Sequence, residues 1–413
     1  MINQSTRPLA GLRVLDLTVA LSGPYGSMLL GGMGAEVIRV EAPGGSDIAR
    51  GNPPFAGKNG LNFGDIAEGE TSLTILNRAR NKKSITLDLK SARGHEIFMR
   101  LVRESDVLIE NMSEGTTQRL KVDYEAVREV NPRLVYCSIK AFNPGTYDSL
   151  KGMDIIVQAL SGVMGVTGFV DSPPTRIGVP IADLLAPMYA VNGVMAALIQ
   201  RSRTGEGQKV QVSMLDCLAS WVAEEHFDVL ATAGYPTRSG NSHDRLAPFG
   251  VFPTKDGHVA IVAFKQDWVR CLLDAMGRLD LLDDPMFCNR VARMRNATAL
   301  NVFIEEWCLG LTSTQVVYEL LEKRGLPCAK VRSPDEVLHD PLLHESGAVM
   351  HLKRPDGGDI GAVGMGLPIQ FSGAHAQFDE PAFELGAGND YVYGELLKLS
   401  AAELYDLKLA RVV

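Results

Sequence analysis

Residues 175–185 read TRIGVPIADLL and carry a single acid, Asp183, where a glycine-containing, β-rich stretch meets the apolar helical run LLAPMYAVNGVMAALIQ. An aspartate at such a junction has two compatible readings. It caps the helix by accepting a backbone N–H, or it is a carboxylate kept ionised by the helix N-terminus and therefore nucleophilic. Asp154, in KGMDIIVQALSG, and Asp16, in VLDLT, are the other acids set against apolar runs. Asp16, inside a strand, is expected to satisfy local backbone donors, while the pattern leaves the role of Asp154 open.

The stretch RNKKSITLDLK (80–90) is basic, and Arg119, Lys121, Lys140 and Lys151 follow near strand ends and loops. Such residues are either a solvated face or the partners of a phosphate-bearing ligand, which they would hold through charge-assisted hydrogen bonds. Other chemistries find no pattern. There is no GxSxG elbow, and no Cys-His or Ser-His-Asp arrangement can be read. His243 and His258 have no carboxylate at helical spacing, so no metal is expected. The first turn, TVALSGP, is neither GxGxxG nor a P-loop.

The elements that must position these groups alternate. LRVLDLT (12–18), AEVIRVEAP (35–43), SITLDLK (84–90), VLIEN (107–111) and LVYCSIKAF (134–142) read as buried strands separated by helical patterns such as GHEIFMRLVRESD (94–106). That rhythm predicts parallel βαβ units, with ligands beyond the carboxyl ends of the strands. After residue 216 the pattern becomes a smaller α+β domain with the strand GHVAIVAF (257–264). From 335 onward strands (GAVMHLKR, GLPIQFSG) return before the closing helix SAAELYDLKLARVV. The expected division is 1–216 large domain, 217–334 small domain, and 335–413 returning to the large domain.

At 413 residues the chain exceeds one compact core, which also argues for two domains. A net charge of -8 offers nucleic acid and anionic membranes no basic surface. The six cysteines lack CxxC spacing and read as reduced, cytoplasmic thiols. No run of about 18 uninterrupted apolar residues predicts a membrane span, and the N-terminus does not read as a signal peptide.

Six ordered segments resemble one family: PLAGLRVLDLTVALSGPYGSMLLGGMGAEVIRVEAPGGSD, NKKSITLDLKSARG, DVLIENMSEGTTQRL, VNPRLVYCSIKAF, GVPIADLLAPMYAVNGVMAAL and RTGEGQKVQVSMLD. The chain is similar to the class III CoA-transferases, which share a fold with formyl-CoA transferase, carnitine CoA-transferase and α-methylacyl-CoA racemase. The resemblance implies an α/β fold: a Rossmann-like large domain formed by both chain ends plus a smaller α+β domain, in an interlocked dimer. It makes Asp183 the catalytic nucleophile, and coenzyme A, as acyl-CoA, a substrate. It also carries the CoA contacts onto Leu21, Ser22, Leu87, Asp88, Leu89, Lys90, Asn111, Met112, Ser113, Arg119, Lys151, Gly152 and Met153. Expected partners are an acyl-CoA, a carboxylic acid and a second copy of the chain. No metal, nucleic acid or membrane is expected.

Departures from the family pattern narrow the reaction. Leu21 replaces a substrate-facing glutamine of formyl-CoA transferase, which argues against formate and oxalate, and Ala42 replaces a basic residue, which implies a differently built adenine side of the CoA pocket. RSGNSHDRLAPFG (238–250) stands where many members carry GGGGQ, as in succinyl-CoA-dependent transferases, and GAGNDYV (386–392) replaces GEHTDEV. The resemblance thus implies a dicarboxylyl-CoA donor such as succinyl-CoA and an aspartyl-CoA thioester on Asp183. Racemisation needs an acid/base group on each face of the α-carbon. Met153 occupies the racemases' histidine position, and Lys265 and Gln266 stand where they carry a glutamate. The alternatives are a racemase or epimerase, or a catalytically silent CoA-binding subunit paired with an active homologue. Arg176, seven residues before Asp183, is by default an exposed loop arginine; its other reading is a partner for an acceptor carboxylate.

Overall fold

The computed structural model describes residues 7–147, 150–243 and 245–413. The chain forms two compact units. One comprises the chain up to Ser161, Gly178–Trp221 and Leu338–Val413; the other comprises Gly162–Ile177 and Val222–Val337. The chain therefore enters the second unit twice, and no shift in composition marks the short first visit.

The first unit is built on a six-stranded sheet. Its elements in chain order are β1 (Arg13–Asp16), α1 (Ser22–Gly32), β2 (Glu36–Glu41), α2 (Leu73–Arg78), β3 (Lys82–Thr86), α3 (Ala92–Arg103), β4 (Val107–Glu110), β5 (Val135–Lys140), α4 (Asp154–Leu160), α5 (Ile181–Thr204) and β6 (Lys209–Ser213). The strand order is β3-β2-β1-β4-β5-β6, and every pairing is parallel. Strands covered on both faces read as nearly continuous apolar runs, which is why VLIE in β4 is buried throughout. Each strand is shorter than its apolar run, because the last residues of each run turn out of the sheet toward the ligand edge.

The order reverses between β1 and β4, which makes a crevice at the carboxyl ends of those two strands. Both chain ends contribute to this unit. Tyr393 Oη donates to Thr86 O at 2.6 Å, Asp88 N donates to Val412 O at 2.8 Å, and Val392, Leu397 and Leu407 join Leu15, Ile38, Phe98 and Leu108 in one buried cluster.

The 24 residues of helix α5, with a mean hydropathy of 1.5 in the most apolar window, are long and apolar enough to cross a bilayer. No uninterrupted apolar run signalled this. Its place in the fold explains the composition: it packs on α1, β5 and β6, burying Ala182, Leu185, Ala186, Ala190, Val194 and Ala197. Small residues on that face let the helix lie close to the sheet.

In the C-terminal segment, Val349–Lys353 and Asp359–Met365 form an antiparallel hairpin. GLPIQFSG is not a strand, contrary to its alternating pattern. Pro368 lacks an N–H for a ladder, and the Gly366 N–H is spent on Ala348 O at 2.8 Å.

The second unit holds a four-stranded antiparallel sheet, β7 (Ser242–His243), β8 (Leu246–Thr254), β9 (Gly257–Val262) and β10 (Cys328–Lys330), in that order. Phe252, Val259 and Ile261 pack there with Leu272, Leu300 and Ile304. Arg176 lies in this unit, exposed, with Nη1 donating to Ile177 O at 3.0 Å.

Candidate active site

The crevice between β1 and β4 is shaped by a tightly held loop, residues 17–21. Asn111, just past β4, brackets it: Val19 N donates to Asn111 Oδ1 and Asn111 Nδ2 donates to Val19 O, both at 2.9 Å. Ala20 has φ +66°, a left-handed conformation that costs a residue with a Cβ about 1–2 kcal/mol. Its polar groups hold it there. Ala20 N donates to Asp47 Oδ1 and Ala20 O accepts from Arg78 Nη1, both at 2.9 Å. Asp47 is in turn fixed by buried Arg39 at 2.6 Å.

The loop leads straight into α1. Gly23, in its first turn, has no side chain because a Cβ there would lie 2.3 Å from Thr18 Cβ. That close approach turns the chain back over β1 and places Leu21 and Ser22 at the ligand edge. Ser22 is 3% exposed, and its Oγ has no hydrogen-bond partner among the described residues.

Beneath the loop sits a buried ion pair. Lys82 Nζ donates to Asp16 Oδ2 at 2.9 Å, Pro24 O at 2.8 Å and Ser27 Oγ at 2.8 Å, which uses all three ammonium protons. Asp16 also accepts from Thr18 N at 2.9 Å and from the Thr18 hydroxyl. The expectation for Asp16 was too local, since its main partner is a lysine on β3. The same contact removes Lys82 from the candidate phosphate ligands. Burial draws its pKa down to about 8, against the opposing pull of Asp16.

Asp183 is not the cap of its helix. The N-cap is Pro180, which has no side chain to offer, and Asp183 lies in the first turn of α5. The cap comes from another element: Asp154 Oδ1 accepts from Ala182 N at 2.9 Å while its Oδ2 accepts from Gln158 Nε2 at 2.7 Å. The Asp183 carboxylate is thereby left without a hydrogen bond among the described residues. Burial and the negative charge of Asp154 push its pKa up to about 6, and the Arg78 guanidinium pulls it down. It is a half-buried carboxylate that is ionised near neutrality and poorly solvated, both of which favour nucleophilic attack.

Asp183 and Ser22 share one neighbourhood. Helices α1 and α5 both run back from the carboxyl edge of the parallel sheet, and a Cβ on Gly26 would stand 3.5 Å from Pro187 Cβ. Ser22 and Asp183 lie one turn further toward the N-terminus of each helix.

The proposed CoA contacts all follow strand ends on this edge. Leu87–Lys90 come after β3, Asn111–Ser113 after β4, and Lys151–Met153 between β5 and α4. Leu21 and Leu87 are buried, at 7% and 1% exposed, so only their backbones can meet a ligand. Lys90, Ser113, Arg119, Lys151, Gly152 and Met153 are exposed, while Asp88, Leu89, Asn111 and Met112 are partly covered. Arg119 Nη2 donates to Thr116 Oγ1 at 2.8 Å. Lys140, a candidate from its charge, is committed to Glu110 Oε2 at 2.9 Å and Met112 O at 2.6 Å. Arg78 and the capping role of Asp154 were missed. The run NRARNKK held the one signal for Arg78, and nothing local links Asp154 to residue 182.

The site is thus a half-buried carboxylate at the ligand edge of a parallel β3-β2-β1-β4-β5-β6 sheet. The chain belongs to CoA-transferase family III, whose model matches residues 9–389. It is thus an enzyme that moves coenzyme A between carboxylic acids, and CoA is its substrate. It is 37% identical to the succinyl-CoA:mesaconate CoA-transferase of Haloarcula marismortui, over 88% of this chain and 90% of that one. It is 34% identical to the formyl-CoA:oxalate CoA-transferase of Streptomyces avermitilis, over 99% and 100%. The crystal structure of a CAIB/BAIF family protein from Brucella suis superimposes with a TM-score of 0.81 at 32% identity, covering 95% of this chain and 100% of that one.

Proposed function

We propose that the protein transfers CoA from succinyl-CoA or a related dicarboxylyl-CoA to another carboxylic acid through an aspartyl-CoA thioester on Asp183. The observation that carries this reading is the uncapped, half-buried Asp183 carboxylate at the N-terminus of α5. It attacks the donor thioester carbonyl, forming a C–O bond as the C–S bond breaks, and CoA leaves as thiolate. The thiolate then attacks the aspartyl carbonyl of the mixed anhydride and expels the donor acid. Asp183 is left as the CoA thioester, and an incoming carboxylate runs the steps backward. That the Ser22 Oγ is unpartnered and lies at the start of α1 supports a role for it as a donor to the oxyanion.

CoA is held along the carboxyl edge by Leu21, Ser22, Leu87–Lys90, Asn111–Ser113, Arg119 and Lys151–Met153, with Lys90, Arg119 and Lys151 facing its phosphates. Similarity to a succinyl-CoA-dependent relative and the loss of glutamine at Leu21 support a dicarboxylyl donor. The racemase reading is weakened by Met153, which is 60% exposed and cannot carry a proton. A homodimer is supported by large apolar side chains left exposed on α4 and α5, including Ile155, Ile156, Leu160, Met188, Tyr189 and Ile199. Six free cysteines suit a reducing cytoplasm.

The test is to incubate the purified chain with succinyl-CoA and a panel of carboxylic acids in D2O and follow the CoA esters by mass spectrometry. New CoA esters without solvent deuterium support the reading. Deuterium at the α-carbon with no new ester supports racemisation instead, and no change at all supports the silent subunit.

A further inference from the structure

Arg78 closes α2 and spends one corner of its guanidinium on the protein, Nη1 donating to Ala20 O at 2.9 Å. The rest is unspent. Nε is shielded from solvent yet has no hydrogen-bond partner among the described residues, and Nη2 makes no hydrogen bond there either. Nε and Nη2 together form the side-on edge of a guanidinium, which matches the two oxygens of a carboxylate. A shielded donor without an acceptor is destabilising, so an anion that fills this edge recovers free energy.

Two protein carboxylates feel the charge of Arg78, Asp183 and Asp47. Asp47 is already occupied: its oxygens take Arg39, Ala20 N and Ala49 N. Asp183 has no hydrogen-bond partner among the described residues, and its charge acts on Arg78 from nearby. That influence cannot outlast the first half of the reaction, because a thioester on Asp183 carries no charge.

Building on the transferase reading, we propose that the Nε/Nη2 edge of Arg78 binds the carboxylate of the acceptor acid once Asp183 has become the CoA thioester. The charge count supports this. The donor acid has departed as an anion, and the acceptor enters as another. Its carboxylate oxygen attacks the aspartyl carbonyl, a C–O bond forms, the C–S bond breaks, and the electron pair leaves on the CoA thiolate. The thiolate attacks the acceptor carbonyl of the anhydride, the C–O bond to Asp183 breaks, and the Asp183 carboxylate is restored. No proton moves. One negative charge passes from acceptor to thiolate to Asp183, and Arg78 is the fixed cation beside it. The same residue holds Ala20, and with it Leu21 and Ser22, so the acceptor site and the α1 terminus are set by one side chain.

The test separates the two half-reactions in the full-length protein. Succinyl-CoA alone loads CoA onto Asp183, read by mass spectrometry of the intact chain and its peptides, and an added dicarboxylic acid discharges it. Arg78→Met, assayed well above the Asp183 titration, should discharge about a hundredfold more slowly, and should load more slowly too, because loading releases a dicarboxylate past the same edge. Its acceptor KM should rise about ten- to hundredfold. Arg78→Lys keeps a cation and a donor for Ala20 O but loses the bidentate edge, and should show the rise in acceptor KM. Millimolar methylguanidinium, but not matched sodium chloride, should restore part of the discharge rate in Arg78→Gly. An unchanged acceptor KM in Arg78→Lys, or no effect of methylguanidinium on Arg78→Gly, would overturn the proposal. If wild type loads no CoA at all, the transferase reading itself fails, and this proposal with it.

Discussion

The Asp154 carboxylate caps the helix that carries Asp183, accepting the Ala182 N–H at 2.9 Å from outside that helix. One acid therefore does the structural work at this terminus and leaves the other free to react. Its charge also helps to hold the Asp183 pKa up, at about 6. Asp154→Asn should keep an acceptor for Ala182 N but remove the charge, so the acid limb of the transfer rate moves to lower pH with little loss of stability. Asp154→Ala should lose the cap as well, at about 1 kcal/mol in denaturant titrations.

The transfer rate should fall as pH drops through about 6, because protonation of Asp183 removes the nucleophile. Below that value kcat/KM should decline by about tenfold per pH unit until other carboxyls titrate. A flat profile through this range would mean that Asp183 is not the group being ionised.

Asp183→Asn should abolish transfer and stabilise the fold at neutral pH. The folded state holds the Asp183 proton up to about 6, against an ordinary value of 3.8, so between these values it binds more protons than the unfolded chain. Wild-type stability therefore falls as pH rises through that window. The variant escapes this loss. It should match wild type in acid and exceed it by about 1–2 kcal/mol above the window, after allowing for partial exposure.

The buried Asp16–Lys82 pair makes a prediction about the scaffold. Lys82→Met leaves a carboxylate buried without its cation, and Asp16→Leu strands the ammonium; each should cost about 3–5 kcal/mol. Because the two touch, Asp16→Leu combined with Lys82→Met should cost clearly less than the sum. Simple additivity in equilibrium unfolding would show that the pair is not coupled.

How much of this was legible depends on the range of the interaction. The alternation of β-branched runs with amphipathic helices marks β1, β2, β4 and β5, because strands buried on both faces must be apolar throughout. The ligand edge follows from parallel connectivity, and the position of Asp183 at a helix start is local. Lys82 and Asp16 lie 66 residues apart, and no periodicity tells a buried lysine from a solvated one. The cap of α5 by Asp154 spans 28 residues and looks, at sequence level, like an ordinary first-turn acid. Local pattern alone therefore does not separate the capping reading of Asp183 from the chemical one, because the cap comes from outside its helix. Arg78 hides in a basic run whose members have separate fates: Arg80 and Lys82 are buried, Lys83 pairs with Glu36, and Arg78 alone reaches the Ala20 carbonyl. GLPIQFSG shows the opposite error, an alternating pattern without the free N–H groups that a ladder needs.

The central claim is that Asp183 becomes covalently bonded to CoA. The most direct measurement is to mix the full-length protein with succinyl-CoA in the absence of an acceptor, quench in acid, and map CoA-bearing peptides by mass spectrometry. CoA on the peptide containing Asp183, absent in Asp183→Asn and discharged when a carboxylic acid is added before the quench, is the predicted result. Turnover to a new CoA ester with Asp183 never modified, or with undiminished rate in Asp183→Asn, would contradict it.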